Sequence, residues 1–367
     1  MTRFPFAAAL ALMAQTVSLG AQTVQTEAGT MQITAMVEGL DTPWAFAHLP
    51  DGGLLITERE GGLLSVRDGA VTRVAGLPDD IVAEGQGGLL DILIPEDFAR
   101  TRKVYLTYAK RQGRGAGTAV FRATLSQDGT GLTNGQTIFK MAPGDRSARH
   151  FGSRIVEGAD GYLYITIGER GDRPAAQDLA RHNGSIIRIA RDGSVPPDNP
   201  FVGQSGAQPE IWSYGHRNPQ GAAVDADGQL WINEHGAQGG DEVNRIVKGA
   251  NYGWPVISYG RHYSGAKIGE GTAKDGMQQP EFYWDPSIAP SGMVFYDGPV
   301  SQWRGDAFVG SLKFDYIARL SGDPLREVEQ IRADQTGRVR DLAVGPDGGL
   351  WFLSITNGTL YRMSPAD

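Results

Sequence analysis

Cysteine is absent from the 367 residues, and with it disulfide bridges, thiolate metal sites and cysteine nucleophiles. Basic charge is in deficit. The 34 Lys and Arg stand against 42 Asp and Glu, a formal net charge of −8, whereas nucleic-acid binders usually carry a basic face; no nucleic-acid partner is expected. No segment is apolar for long enough to cross a bilayer. The nearest approach is the N-terminal MTRFPFAAALALMAQTVSLGAQ, in which one Arg precedes a short apolar run and the small residues Ser18, Gly20 and Ala21. That is the form of a secretory signal peptide spanning residues 1–21, although a disordered or lightly anchored N-terminus has the same composition. The mature chain, 22–367, is expected to be soluble and periplasmic or secreted, as a monomer or homodimer. Long amphipathic helical runs are scarce. A nucleophile elbow, a P-loop, a dinucleotide fingerprint, EF-hand spacing and a His/Cys zinc pattern are missing as well. GERGD (Gly168–Asp172) resembles a phosphate loop only superficially and opens no clear helix.

What is present is turn and strand. Glycine is abundant, at 51 residues, with 20 prolines and no low-complexity period. A turn, often Asp-Gly, followed by a short strand with an aromatic or aliphatic centre, recurs six times: DGGLLITE (Asp51–Glu58), RKVYLTY (Arg102–Tyr108), DGYLYITI (Asp160–Ile167), DGQLWINE (Asp227–Glu234), GDAFVGSL (Gly305–Leu312) and DGGLWFLS (Asp347–Ser354). A single small sheet cannot bury both faces, so neighbours must stack on it. Six such units around a channel leave only short, protected edges. The reading is an all-β, six-bladed β-propeller in one domain; a β-sandwich also uses such units, but the count and the lack of helices favour the ring. The last strand, GTLYRMS (Gly358–Ser364), is expected to share a blade with the first segment of the mature chain. Long loops near 142–153, 168–184, 192–208 and 260–290 are expected to carry function.

The densest polar run is WSYGHRNPQGAAVDADGQLWINEHGAQGGDEVNRIVKGANYGWP (Trp212–Pro255), which packs His216, Arg217 and Asn218, then Glu234 and His235, then a Gly-rich turn before Asp241 and Glu242. It reads as the rim of a site for a charged ligand and a metal. Acidic side chains beside glycine-freed carbonyls suit a hard cation such as Ca²⁺, though a solvated acidic turn has the same sequence. His150, in RHFGSR before a predicted strand, has the residue type suited to a base near neutral pH; a lone histidine is more often a hydrogen-bonded surface residue. Gln86, in EGQGGLLDI, is one amide among glycines and reads equally as a tight turn. Lys313 in GSLKFD, and Arg338 and Arg340 in GRVRD, lie near strand ends, and residues two apart on a strand share a face. Such cations would bind a polycarboxylate, or form a solvated basic face.

Taken together, GQGGLLDI, HFGSRI, GHRNPQG, EHGAQGGDEVN, KGANYGWP, DPSIAPSGM and GSLK resemble the soluble sugar dehydrogenases dependent on pyrroloquinoline quinone (PQQ), and most closely their aldose sugar dehydrogenase branch. The resemblance runs from about Leu40 to Arg362. It implies a six-bladed propeller and oxidation of aldose sugars to lactones, with hydride transfer to the quinone and electrons passed to an external acceptor. It further implies His150 as the base, Arg217 and Asn218 at the reactive quinone carbonyl, and Gln86 in the quinone and substrate region. Lys313, Arg338 and Arg340 are implied as cofactor clamps, with Tyr263 as a further cofactor neighbour. Gly236 and Ala237 are implied to offer backbone carbonyls to a calcium ion on PQQ, and Glu242 with the main chain of Tyr252, assisted by Asp241, to hold a second one. Two departures stand out: Arg149 precedes the base where glucose dehydrogenases of the family have an acid, and Ala237 replaces a proline frequent in relatives. Two other functions fit the bare sequence, a calcium-dependent propeller lactonase or esterase and a non-catalytic binding propeller.

Overall fold

Six antiparallel sheets form the computed structural model, which describes residues 22–366; the expected signal peptide, 1–21, lies outside the described residues. Five sheets have four strands each and occupy residues 43–73, 89–140, 155–214, 219–284 and 290–331. The sixth combines Val339–Val344, Leu350–Ser354 and Thr359–Pro365 with Gly29–Val37 and Gln22–Thr26 from the other end of the chain. Gly29–Val37 pairs antiparallel with Thr359–Pro365 in the register Ile33↔Met363. Both chain ends therefore lock one blade and close the circle, as the sequence led us to expect. The first strands of successive blades neighbour one another around a complete circuit. The fold is a six-bladed β-propeller. No helix among the described residues is long and apolar enough to cross a membrane.

Each of the six recurrent segments forms the second strand of its blade: Leu54–Glu58, Lys103–Gln112, Leu163–Ile167, Leu230–Glu234, Ala307–Ser311 and Leu350–Ser354. These strands are covered on both faces, so they read as apolar runs rather than alternations; Leu163–Ile167 (LYITI) is buried throughout. Outer strands lose one covering, and Ala70–Arg73 is exposed along its length. The turns ahead of the second strands need left-handed backbone, which Gly161 (φ +75°) and Gly228 (φ +81°) supply.

The core is divided in the same way. Six apolar clusters lie between adjacent blades, for example Tyr105, Phe139, Ile165 and Ile187 between the second and third, and Phe46, Ile56, Trp351 and Leu353 between the sixth and first. Each fully buried Leu or Ile contributes roughly 1.5–3 kcal/mol, so no sheet has a core without its neighbours. A buried ion network lies among the inner strands: Arg154 Nη1 is 2.9 Å from both Asp91 Oδ1 and Asp341 Oδ1, and its guanidinium lies 4.7 Å from the Trp44 ring.

The loops partly follow expectation. Stretches without strands do separate Lys140 from Ile155, Ile167 from Ser185 and Ile189 from Ile211. The fourth is larger, from Arg245 to Phe282, and the expected 260–290 loop contains a short strand, Phe282–Trp284. Those three residues lack both the turn and the length that mark the second strands; their pairing with Asp241–Val243 defines them.

Candidate active site

Antiparallel pairing brings the start of each first strand beside the end of the second, as in Pro219↔Glu234 and Val339↔Ser354. One end of the propeller is therefore built from the residues just before first strands and just after second strands. Gln86, His150, Arg217, Asn218 and Arg338 occupy the former positions; Arg59, Glu169, His235, Gly236, Ala237 and Lys313 occupy the latter. A cavity of about 990 Å³ opens there. All of those residues except Glu169 line it, as do Arg340, Trp44, Asp285 and Tyr263.

The cavity is cationic. Arg59, Arg217, Lys313, Arg338 and Arg340 face it against the single carboxylate of Asp285. Among the described residues Arg217, Lys313, Arg338 and Arg340 make no ion pair; their protein partners are carbonyls, an amide and rings. Arg217 Nη1 donates to the His235 carbonyl at 3.0 Å, Arg338 Nη1 to the Leu312 carbonyl at 2.9 Å, and Arg340 Nη1 to Gln220 Oε1 at 2.9 Å. The Arg340 guanidinium lies 4.0 Å from the Trp44 ring. Burial, with Arg154 nearby, pushes its pKa down to about 9. The Nε atoms of Arg217 and Arg340 are buried without a partner. A site this rich in uncompensated guanidinium fits a ligand with several carboxylates.

His150 sits at the edge of this cavity with left-handed backbone (φ +53°), a strained state that tends to mark functional positions. Its N–H donates to Gln86 Oε1 at 2.6 Å, so Gln86 ties down the loop that bears the histidine. Its Nδ1 is 2.6 Å from Glu169 Oε2. That leaves Nε2 as the free ring nitrogen. Burial lowers the His150 pKa below 6.5, opposed by Glu169 and assisted by Arg217 and Arg149. Arg170 supports the same loop from beneath, donating to the carbonyls of Arg149 and Ser147 and lying against the Phe151 ring. Glu169 and Arg170 belong to GERGD, whose likeness to a phosphate loop is superficial. They answer what holds His150 when an arginine precedes it: a carboxylate just past the second strand of the same blade, Leu163–Ile167.

The His-Arg-Asn and Glu-His pairs divide by role. His216 is fully enclosed between Glu234 Oε1 (2.9 Å) and Ser213 Oγ (3.0 Å) and stacked on Tyr252. His235 Nε2 faces the Pro290 carbonyl, and burial lowers its pKa to about 4. Neither presents a free Nε2 to the cavity. Arg217 receives its placement from Glu234, which accepts its N–H at 2.6 Å. Asn218 Oδ1 accepts from Gly152 N–H and Gln220 Nε2 at the cavity wall.

A second, small cavity of about 10 Å³ lies behind the Gly-rich turn, lined by Glu234, Glu242, Gly236, Gly240 and Tyr252. The turn is crowded with carbonyls: a Cβ on Gly236 would stand 2.2 Å from the Gly239 oxygen and 2.4 Å from that of Gly240. Burial, with Glu234 and Asp241 nearby, pushes Glu242 up to about 8. No cluster of three or more His, Cys, Asp or Glu suited to a metal occurs among the described residues; a metal here would rely on carbonyls, which Ca²⁺ accepts. Asp241 stands just behind this cavity, close enough to act on Glu242. Its carboxylate accepts from Gly236 N–H, Ser287 Oγ and Ala289 N–H and lies outside this cavity, so it ties the turn to the next blade. Tyr263 stands at the mouth, 74% exposed.

The family profile described as Glucose / Sorbosone dehydrogenase matches residues 40–362. The chain belongs to the glucose/sorbosone dehydrogenase family. It is 44% identical over 347 residues to the aldose sugar dehydrogenase YliI of Escherichia coli (strain K12), covering 92% of this chain and 93% of that one. Among solved structures it is similar to the soluble aldose sugar dehydrogenase of Escherichia coli in its apo form, with a TM-score of 0.88, 42% identity and coverage of 92% and 100%. It is also similar to the PQQ-bound aldose sugar dehydrogenase of Streptomyces coelicolor, with a TM-score of 0.75, 27% identity and coverage of 91% and 98%. As a member of the glucose/sorbosone dehydrogenase family this chain is a sugar-oxidising oxidoreductase.

Proposed function

We propose that this chain is a PQQ- and Ca²⁺-dependent aldose dehydrogenase that converts aldoses to lactones and passes electrons to an external acceptor. The observation that carries the reading is the convergence of four unpaired cations, Arg217, Lys313, Arg338 and Arg340, on one cavity with the His150–Glu169 pair at its edge. Lys313, Arg338 and Arg340 would hold the carboxylates of PQQ, with Asn218, Gln86 and Tyr263 around it. The Gly236 and Ala237 carbonyls would meet a calcium ion beside it, and Glu242 with the Tyr252 main chain a second ion in the small cavity. When bound, the ortho-quinone supplies the two-electron sink for the hydride lost from the anomeric carbon. His150 takes the proton of the anomeric hydroxyl at Nε2, and Glu169 holds the ring in the tautomer that leaves Nε2 free. Arg217 places positive charge where negative charge develops. Residues 1–21 are proposed to be removed on export, leaving 22–367 as one domain.

The test is reconstitution of the purified protein with PQQ and Ca²⁺, followed by dye reduction with a panel of aldoses. Sugar-dependent dye reduction that needs both additions supports the reading. Hydrolysis of lactones or esters with Ca²⁺ alone favours the lactonase, and PQQ binding without turnover favours the binding propeller.

Two outcomes are expected at the level of single groups. The base must be neutral, so kcat/KM should hold through neutral pH and fall only below pH 6.5, as the lowered His150 titrates. Glu169 raises that pKa, so Glu169→Gln should move the acid limb lower still while cutting kcat by about 10- to 100-fold; Glu169→Asp should restore part of both. A limb that stays in place would remove Glu169 from this role. Separately, chelation of Ca²⁺ should lower Tm by a few degrees, since an ion bound only by the folded state stabilises it. In Glu242→Gln the chelator should shift Tm less than in the parent. An equal shift in both would place the ion elsewhere.

A further inference from the structure

Beside the base lies a side cavity of about 370 Å³ that shares Gln86, His150, Arg217 and Tyr263 with the axial one. Arg149 and Arg173 line the side cavity and do not line the axial cavity, so they stand apart from the proposed cofactor clamp. Glu169 is the one carboxylate on this wall, and it is engaged with His150. Neither Arg149 nor Arg173 forms an ion pair among the described residues; the nearest acid in sequence to Arg173, Asp172, pairs with Arg181 instead. The Arg149 side chain lies across Gly171, where an added Cβ would come within 3.3 Å of its Cδ. Arg173 rests against the Trp254 ring at 5.5 Å, with Nη1 2.7 Å from His262 Nδ1.

We propose that this side cavity selects aldoses bearing an anionic group, a carboxylate or a phosphate, at the end remote from the anomeric carbon. The inference rests on the aldose-oxidising reading and deepens it by naming the substrate class. A sugar whose anomeric hydroxyl meets His150 has this cavity for its remaining atoms, and the wall there carries the guanidinium groups of Arg149 and Arg173, beside the Arg217 assigned to the quinone, against one committed carboxylate. Guanidinium matches both carboxylate and phosphate in bidentate geometry. The exposed Tyr263 ring gives the apolar face of a pyranose a surface to lie on. The chain as a whole carries a net charge of −8 and repels an anion at long range, so any attraction must come from this local cluster of arginines. Charge-assisted contacts of this kind are expected to favour the anionic sugar by on the order of tenfold or more in kcat/KM.

The test uses protein reconstituted with PQQ and Ca²⁺, an uncharged electron acceptor, and three sugars: D-glucuronate, D-glucose 6-phosphate and D-glucose. At least one anionic sugar should exceed glucose by about tenfold or more in kcat/KM, and raising KCl from about 20 to about 300 mM should shrink that advantage. The two anionic arms distinguish carboxylate from phosphate. In the double variant Arg149→Gln/Arg173→Gln the anionic-to-neutral ratio should fall by roughly tenfold. Calorimetric binding of D-glucuronate and glucose, read without turnover, supplies an independent measure. A ratio near or below one in the parent, or one that survives the double variant, overturns the proposal. If no sugar is oxidised but D-glucuronate binds more tightly than glucose, sensitively to salt and to both arginines, the oxidation reading fails and the anionic specificity of the cavity stands. If no sugar is oxidised and neither binds preferentially, both fail.

Discussion

Replacing His150 by glutamine is expected to abolish turnover while leaving PQQ binding intact. A general base at the reacting hydroxyl contributes about 10²- to 10⁴-fold, and the surrounding structure offers no substitute. Glu169 is the nearest carboxylate, but it is bound to the other side of the ring, and His235 is held against the Pro290 carbonyl. Glutamine keeps a donor for Glu169 and lacks a basic lone pair, so the loop stays tied through the backbone N–H at residue 150 and Gln86. The measurement is kcat with a saturating aldose, alongside PQQ affinity from titration. The expected pair is a loss in kcat of roughly 10³-fold and an affinity within a few-fold of the parent. A variant that turns over near the parental rate would remove His150 from the chemistry.

Arg340 is expected to matter in the opposite way, for binding rather than for the step itself. It is buried on the cavity wall and held by one amide and one ring, with no carboxylate partner. Its pKa falls to about 9 chiefly because burial disfavours the charged form. A base with a depressed pKa is one whose charge the fold tolerates at a cost; Asp341 and Asp91 nearby offset part of it, and an anion in the cavity would offset more. Arg340→Met should therefore leave the Tm of cofactor-free protein unchanged or higher. It should weaken PQQ by about 3 kcal/mol, two orders of magnitude in Kd. Thermal unfolding without cofactor, and PQQ titration, separate the two effects. A lower Tm with unchanged affinity would make Arg340 a structural residue packed on Trp44.

The propeller was legible because its repeat is local. Each segment of turn and apolar strand is short and contiguous, and all six form second strands of blades. The closure was legible from architecture, since an open ring would leave unpaired edges. Several features were not. Phe282–Trp284 owes its pairing to Asp241–Val243, far back along the chain, and carries no turn of its own. The partners of Asp241, Ser287 and Ala289, come from the entry to the next blade, which linear spacing does not reveal. Glu169 lies nineteen residues from His150, across a hairpin. Its sequence signal was positional: it follows the end of a second strand, as do Arg59, His235 and Lys313. Reading all six such positions together would have found it. Arg338 was placed correctly at a strand entry, but its left-handed backbone (φ +44°), with its N–H donating to Asp315, follows from the loop it meets rather than from its own residue type.

The central claim is that this cavity binds one quinone and lets a sugar reduce it. The most direct measurement is a single-turnover experiment without dye: the protein is titrated with PQQ in the presence of Ca²⁺, and an aldose is then added while the quinone absorbance is followed. The account predicts saturation at one PQQ per chain, followed by bleaching of the bound quinone at a rate that rises with sugar concentration and collapses in His150→Gln. Bound PQQ that remains oxidised with every aldose, neutral or anionic, would contradict it.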